Sequence, residues 1–157
     1  MAWFCNHYAC DRCKKSWTDE WFATCDDNCP HCGARHMSPH QSDDLSLYPP
    51  SDATRMARLN DRFRRTLKGG RVVMTAGVEA LTENAKAVLL LKVAAFEDFT
   101  VDNDPHSEHD FGSIDLLGEK YFWKIDYYDP HCRHGSEDPT DPDKTTRVLT
   151  IMRTEEY

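Results

Sequence analysis

Four cysteines in two Cys-x-x-Cys pairs, Cys10 with Cys13 and Cys29 with Cys32, are the residues best suited to chemistry by type and spacing. Each pair bends the backbone into a knuckle that aims two thiolates at one point. Two knuckles complete a closed tetrahedral site for a soft divalent ion, zinc first. Cys32 is followed by Gly33, the residue a zinc-ribbon knuckle usually carries there. With four protein ligands no position remains for a catalytic water, so the expected cofactor is one structural zinc ion. Disulfides or free thiols are the bland alternative, but a module of ~40 residues rarely folds without a metal or crosslink. Cys5 and Cys25 are surplus. Putting Cys25 in place of Cys29, or Cys5 with His7 at the first knuckle, breaks a regular knuckle and is disfavoured. Trp17, Trp21 and Phe22 lie between the knuckles. They are expected to pack over the metal site; exposed, Trp17 and Trp21 would form a partner-binding patch.

A second group is acidic. Asp102 to Asp110 holds Asp102, Asp104, His106, Glu108, His109 and Asp110. A calcium loop is a poor fit, because Ser107 and Ser113 stand where the glycine and the closing glutamate belong. Glu108, His109 and Asp110, with Lys124 and Asp126 from one strand face, form a candidate catalytic set if that face meets the loop. Such a set suits metal-assisted hydrolysis or acid–base work. The alternative, preferred here, is a solvated loop whose aspartates cap turns. His131-Cys132-Arg133-His134 lacks a fourth ligand nearby and reads as a surface loop.

The third group is basic. Arg58, Arg62, Arg65 and Lys68 make a helical stripe for phosphate or an acidic partner, or else a solvated face that pairs with the chain's own acids. Any direct nucleic-acid contact falls in the segment Arg55 to Arg71. Across Glu97 to Asp143 fourteen acids face three bases, a net charge of −11 in a chain of net −8. That balance excludes a general nucleic-acid binder.

The 157 residues allow one ordinary domain plus one tiny one. No apolar run approaches the ~20 residues that span a bilayer, and no membrane partner is expected. The start lacks a basic region followed by an apolar stretch, and six of seven cysteines cluster in the first 32 residues. Both features point to the cytoplasm.

These groups need elements to position them. Residues 1–37 read as a four-cysteine zinc-ribbon module with rubredoxin-like knuckles. Residues 38–52, with Pro39, Pro49, Pro50 and several serines, read as a linker. Residues 53–157 read as an α+β domain. Met56, Leu59, Phe63 and Leu67 predict a helix over 53–67, stopped by Gly69 and Gly70. Residues 71–78 predict a strand. Thr82 predicts the N-cap of a second helix, 83–99, apolar nearly all round and so expected to be buried. Strands are expected over 111–117, 120–128 and 146–153, with a tight turn at Gly118-Glu119. The order gives two helices with an antiparallel β-meander packed on the second.

The stretch Arg55 to Tyr157 resembles an uncharacterised family, domain of unknown function 3768, common in alphaproteobacteria and often carried on plasmids and integrative elements. The resemblance rests on Leu59-Asn60-Asp61-x-Phe63-Arg64, Gly70 to Val78, Asp102 to Pro105, Glu108 to Gly112, Phe122 to Tyr128 and Thr146 to Met152. The N-terminal third resembles small zinc-ribbon proteins of similar genomes through Cys29 to Gly33 and Ser42 to Leu45. The match implies a mobile-element setting and no activity. The function expected first is an accessory protein, more binding protein than enzyme, that recognises a protein or nucleoprotein complex. Its acidic surface would suit an inhibitor of CRISPR or restriction. A metal-dependent hydrolase or nuclease at the Glu108–Asp110 loop is the alternative.

Overall fold

The computed structural model describes residues 2–46 and 50–157. The chain divides into two compact units, Met1–Ser51 and Asp52–Tyr157.

The first unit is a three-stranded antiparallel sheet in the order β2-β1-β3. Its strands are β1 (Phe4–Ala9), β2 (Ser16–Trp21) and β3 (Gln41–Asp44). Alternation along β1 turns Asn6 and Tyr8 inward to join Trp3, Cys10 and Cys29 in a small core. Asn6 is fully buried and paired at both ends of its amide. It donates to the Ala23 carbonyl (3.0 Å) and accepts from Ser42 Oγ (2.6 Å). The linker reading of 38–52 is therefore corrected: Gln41–Asp44 is the third strand of the cysteine module, paired with His7 through Phe4. Its side chains are polar, so no hydrophobic pattern marks it, and backbone pairing plus a His7 Nε2–Asp43 contact of 2.7 Å hold it. The part of that linker at 47–49, Pro49 included, lies outside the described residues.

The second unit is a mixed four-stranded sheet in the order β4-β7-β6-β5, with its helices packed on one face. Helix α1 (Asp52–Thr66) buries Met56, Leu59 and Phe63 as its periodicity predicts. It ends at Leu67, in the left-handed region at φ 54°, rather than at the glycines. Gly70 has a different task. A Cβ there would lie 2.4 Å from the Arg147 carbonyl and 2.6 Å from the Phe63 ring, so the strand approaches too closely for any side chain.

β4 (Gly70–Met74) pairs parallel with β7 (Thr146–Arg153) and is shorter than expected, because the chain turns at Ala76–Glu79 into a short helix, α2. Helix α3 (Glu83–Ala94) starts at the expected cap, where the Thr82 hydroxyl accepts from Ala85 N–H at 3.2 Å. Its expected full burial is corrected. Leu89 and Val93 are buried against the sheet, whereas Val88 and Leu91 stand exposed. β5 (Phe111–Leu116), β6 (Glu119–Tyr128) and β7 form the expected antiparallel meander. The β5–β6 turn is Leu117-Gly118, one residue earlier than expected, with φ 53° and 81°. Tyr121, Trp123, Ile125 and Leu149 face the helices and build the core with Phe63 and Leu89.

Candidate functional site

The four cysteines converge. Cys10 and Cys32 sulfurs lie 3.6 Å apart, as do Cys13 and Cys29, and all four lie within 4.8 Å of one another. A tetrahedron of ~2.3 Å metal–sulfur bonds has edges of about 3.8 Å, so the cage fits a tetrahedral ion. The two knuckles are built alike. Lys14 N–H donates to the Cys10 carbonyl (2.8 Å) and Gly33 N–H to the Cys29 carbonyl (2.9 Å). Each knuckle closes with a bond from its first cysteine's N–H, Cys10 to Lys15 and Cys29 to Ala34. Lys14 and Gly33 take the same left-handed conformation, φ 62° and 71°. The backbone N–H of Cys13, aimed at the Cys10 sulfur, lowers that thiol to about 7. At Cys32 the Ala34 N–H acts downward, but burial and the neighbouring thiols outweigh it and push the thiol up to about 11. Among the described residues, no other group of three or more potential ligands converges.

Trp17 is half-buried. It stacks on Tyr8 (5.0 Å, planes within 9°) and donates from Nε1 to Asp27 (3.0 Å). Trp21 sits half-buried against Phe22, 4.7 Å between rings. Trp3, which the spacing argument overlooked, is the tryptophan of this unit that is fully buried.

Among the candidate catalytic residues, no three side chains converge as metal ligands. Lys124 and Asp126 pair with each other at 2.8 Å on the sheet face opposite the helices. His109 turns toward the helices. Its Nδ1 lies 3.0 Å from Asp61 on α1, and its Nε2 lies 3.8 Å from buried Asp104. Its ring stacks on Phe99 at 3.8 Å. Asp104 in turn accepts from the N–H groups of Glu108 (2.9 Å) and His109 (3.2 Å), so this aspartate caps a turn of the loop. Glu108 and Asp110 are half-buried. Burial first, then neighbouring carboxylates, raise both above the ordinary range, Glu108 through Asp110 and Asp110 through Asp104 and Asp126.

Two arginines at the heart of the domain escaped the sequence reading. Arg64 is fully buried, its NH1 on the Val93 and Ala94 carbonyls at the end of α3 and its NH2 on Asp61 (2.8 Å). A cation there bonds carbonyls of the last turn, at the negative end of the helix dipole. Its guanidinium lies between Phe99 (5.4 Å) and Trp123 (5.3 Å). Arg147 binds Asn60 Oδ1 (2.9 Å) and the Pro139 carbonyl (2.7 Å), and burial lowers it to about 10. Asn60 donates to Tyr127 Oη (2.6 Å) and the Glu108 carbonyl (2.8 Å). One signal was available: Asn60 and Arg64 lie on the same helical stripe as Met56, Phe63 and Leu67.

The basic stripe is mostly spent. Arg65 pairs with Glu97 at 2.7 Å, and Arg58 and Arg62 are half-buried and engaged. Lys68 and Arg71 remain exposed.

Fold and site together define an α+β domain with two arginines buried in it, preceded by a module whose four cysteines could hold a metal ion. The chain belongs to the family described as protein of unknown function (DUF3768), whose model matches residues 74–156. The match leaves α1 outside it, so the region of resemblance is shorter than the 55–157 expected. No curated protein and no solved structure matches the chain. No helix among the described residues is long and apolar enough to cross a membrane.

Proposed function

We propose that this chain is a cytoplasmic accessory protein of a mobile element or phage that recognises a protein or nucleoprotein partner through its acidic surface. Its ion is zinc, held by Cys10, Cys13, Cys29 and Cys32 for stability alone. The observation that carries the reading is a set of exposed acids, Asp98, Asp102, Glu119, Glu137 and Asp143, that have no basic partner among the described residues. Acids left unneutralised on a surface are available to a basic groove, and a nucleic-acid-handling defence complex offers one. Expression in a host with active CRISPR or restriction should restore plasmid establishment. Changing those five acids to their amides should abolish the effect while leaving the fold intact. Restoration that survives the changes would sink the reading.

The raised Glu108 and Asp110 favour the second reading, a hydrolase at this loop. A variant with His109→Ala and Asp110→Ala separates the two. Full partner engagement by the folded variant removes the loop from consideration.

A further inference from the structure

One edge of the four-stranded sheet is open. β4 is the outermost strand, and Arg71, Val72 and Val73 are all exposed, where a strand with one covered face would bury alternate residues. Thr75 N–H donates to the Ile151 carbonyl at 3.1 Å. On a parallel ladder that bond sets the parity. Arg71, Val73 and Thr75 turn their N–H and C=O toward β7, and Val72 and Met74 turn theirs to the open edge. Val72 is 36% and Val73 45% exposed, an apolar edge of the kind that sheets usually cover or interrupt. Lys68 and Arg71 stand exposed at the entry to this strand, and neither has an acidic partner among the described residues.

We propose that the β4 edge takes up an extended acidic segment of a partner protein as a fifth strand. Val72 and Met74 supply the backbone donors and acceptors, and Lys68 and Arg71 pair with carboxylates of the incoming strand. Charge selects this occupant over a second copy. Two β4 strands would bring their arginines and lysines together, and Gly70–Met74 holds no acid to offset them. The proposal rests on the partner-binding reading above but uses a surface apart from the five exposed acids, so either can fail alone.

The test titrates the full chain into labelled peptides of about ten residues that alternate valine and threonine with glutamate, or with lysine. A short single-stranded DNA serves as a third probe. The glutamate peptide should bind about tenfold more tightly than the lysine peptide, and the amides of Val72 and Met74 should gain protection from exchange. Val72→Pro removes an outward N–H without touching the bonds to β7, and should weaken binding about tenfold. Lys68→Glu with Arg71→Glu should reverse the peptide preference; this surface variant carries the test if the proline disturbs the sheet. The idea is overturned by no binding of the glutamate peptide, by equal binding of both peptides, or by charge reversal without effect. Tighter binding of the DNA, or a dimer that Val72→Pro abolishes, overturns it too.

Discussion

The imidazole of His109 lies flat on the ring of Phe99, 3.8 Å between centroids and parallel to within 1°. The same ring sits between Asp61 and Asp104, so one side chain ties the acidic loop to α1 through a hydrogen bond with Asp61 and to the segment after α3 by stacking on Phe99. His109→Ala should cost about 1–3 kcal/mol in urea denaturation, because it removes the stack on Phe99 and one hydrogen-bond partner of the partly buried Asp61. Amide exchange should quicken in residues 98–110 before anywhere else in the domain. A cost below a few tenths of a kcal/mol would show that the clamp is ornamental.

Asp110 holds its proton more tightly folded than unfolded, because burial and the charges of Asp104 and Asp126 oppose ionisation. Glu108 behaves alike. Folding therefore takes up protons just above the ordinary carboxylate values of 3.8 and 4.5, and these two groups add stability as pH falls through that window. Asp138 and Glu156 act with the opposite sign. Hydrogen bonds, first from the Thr140 and Thr75 hydroxyls, lower them, so their contribution is present above the ordinary carboxylate value and is lost as pH falls from there through their own lower one. Asp110→Asn should raise the melting temperature at pH 7 and flatten its rise as pH falls toward 4. Melts across that range check it, and an unchanged slope would refute it.

Gly112 lies against the indole of Trp123, where a Cβ would come within 2.5 Å of Nε1 and 2.6 Å of Cε2. Trp123 is wholly buried and Nε1 has no hydrogen-bond partner, so the ring has no room to retreat. Gly112→Ala should destabilise the domain by about 1–3 kcal/mol through overpacking. Denaturant midpoints would show it.

The metal site was legible because its information is local: two spacings and one glycine. The meander was legible from the alternation of Tyr121, Trp123, Ile125 and Tyr127. The polar core was not. Arg64 and Arg147 are buried because Asp61, Asn60 and carbonyls from distant segments receive them, and a composition count assigns every arginine to the surface. β3 was missed for a related reason, since Gln41–Asp44 is strand only by virtue of β1.

Lys14 and Gly33 occupy equivalent places in the two knuckles, yet one carries a side chain in the left-handed region and the other does not. Lys14→Gly should strengthen metal retention and Gly33→Ala should weaken it. Each change should be worth about 1 kcal/mol, some fivefold in affinity. Competition against a chromophoric chelator measures both, and equal affinities would mean the knuckles bear no strain.

Complete chelation should have a larger effect confined to one unit. Metal analysis should first give about one zinc per chain. The core around Trp3, Tyr8 and Asn6 is too small to fold the first unit without the ion. The second unit has its own core of Phe63, Leu89, Trp123 and Leu149, with no cysteine ligand in it. Removing the metal should therefore erase amide protection across residues 2–46 and leave it intact across 52–157. Protection in the first unit that outlasts the metal would mean the cysteines are not its structural centre. Loss in both units at once would mean the two do not fold independently.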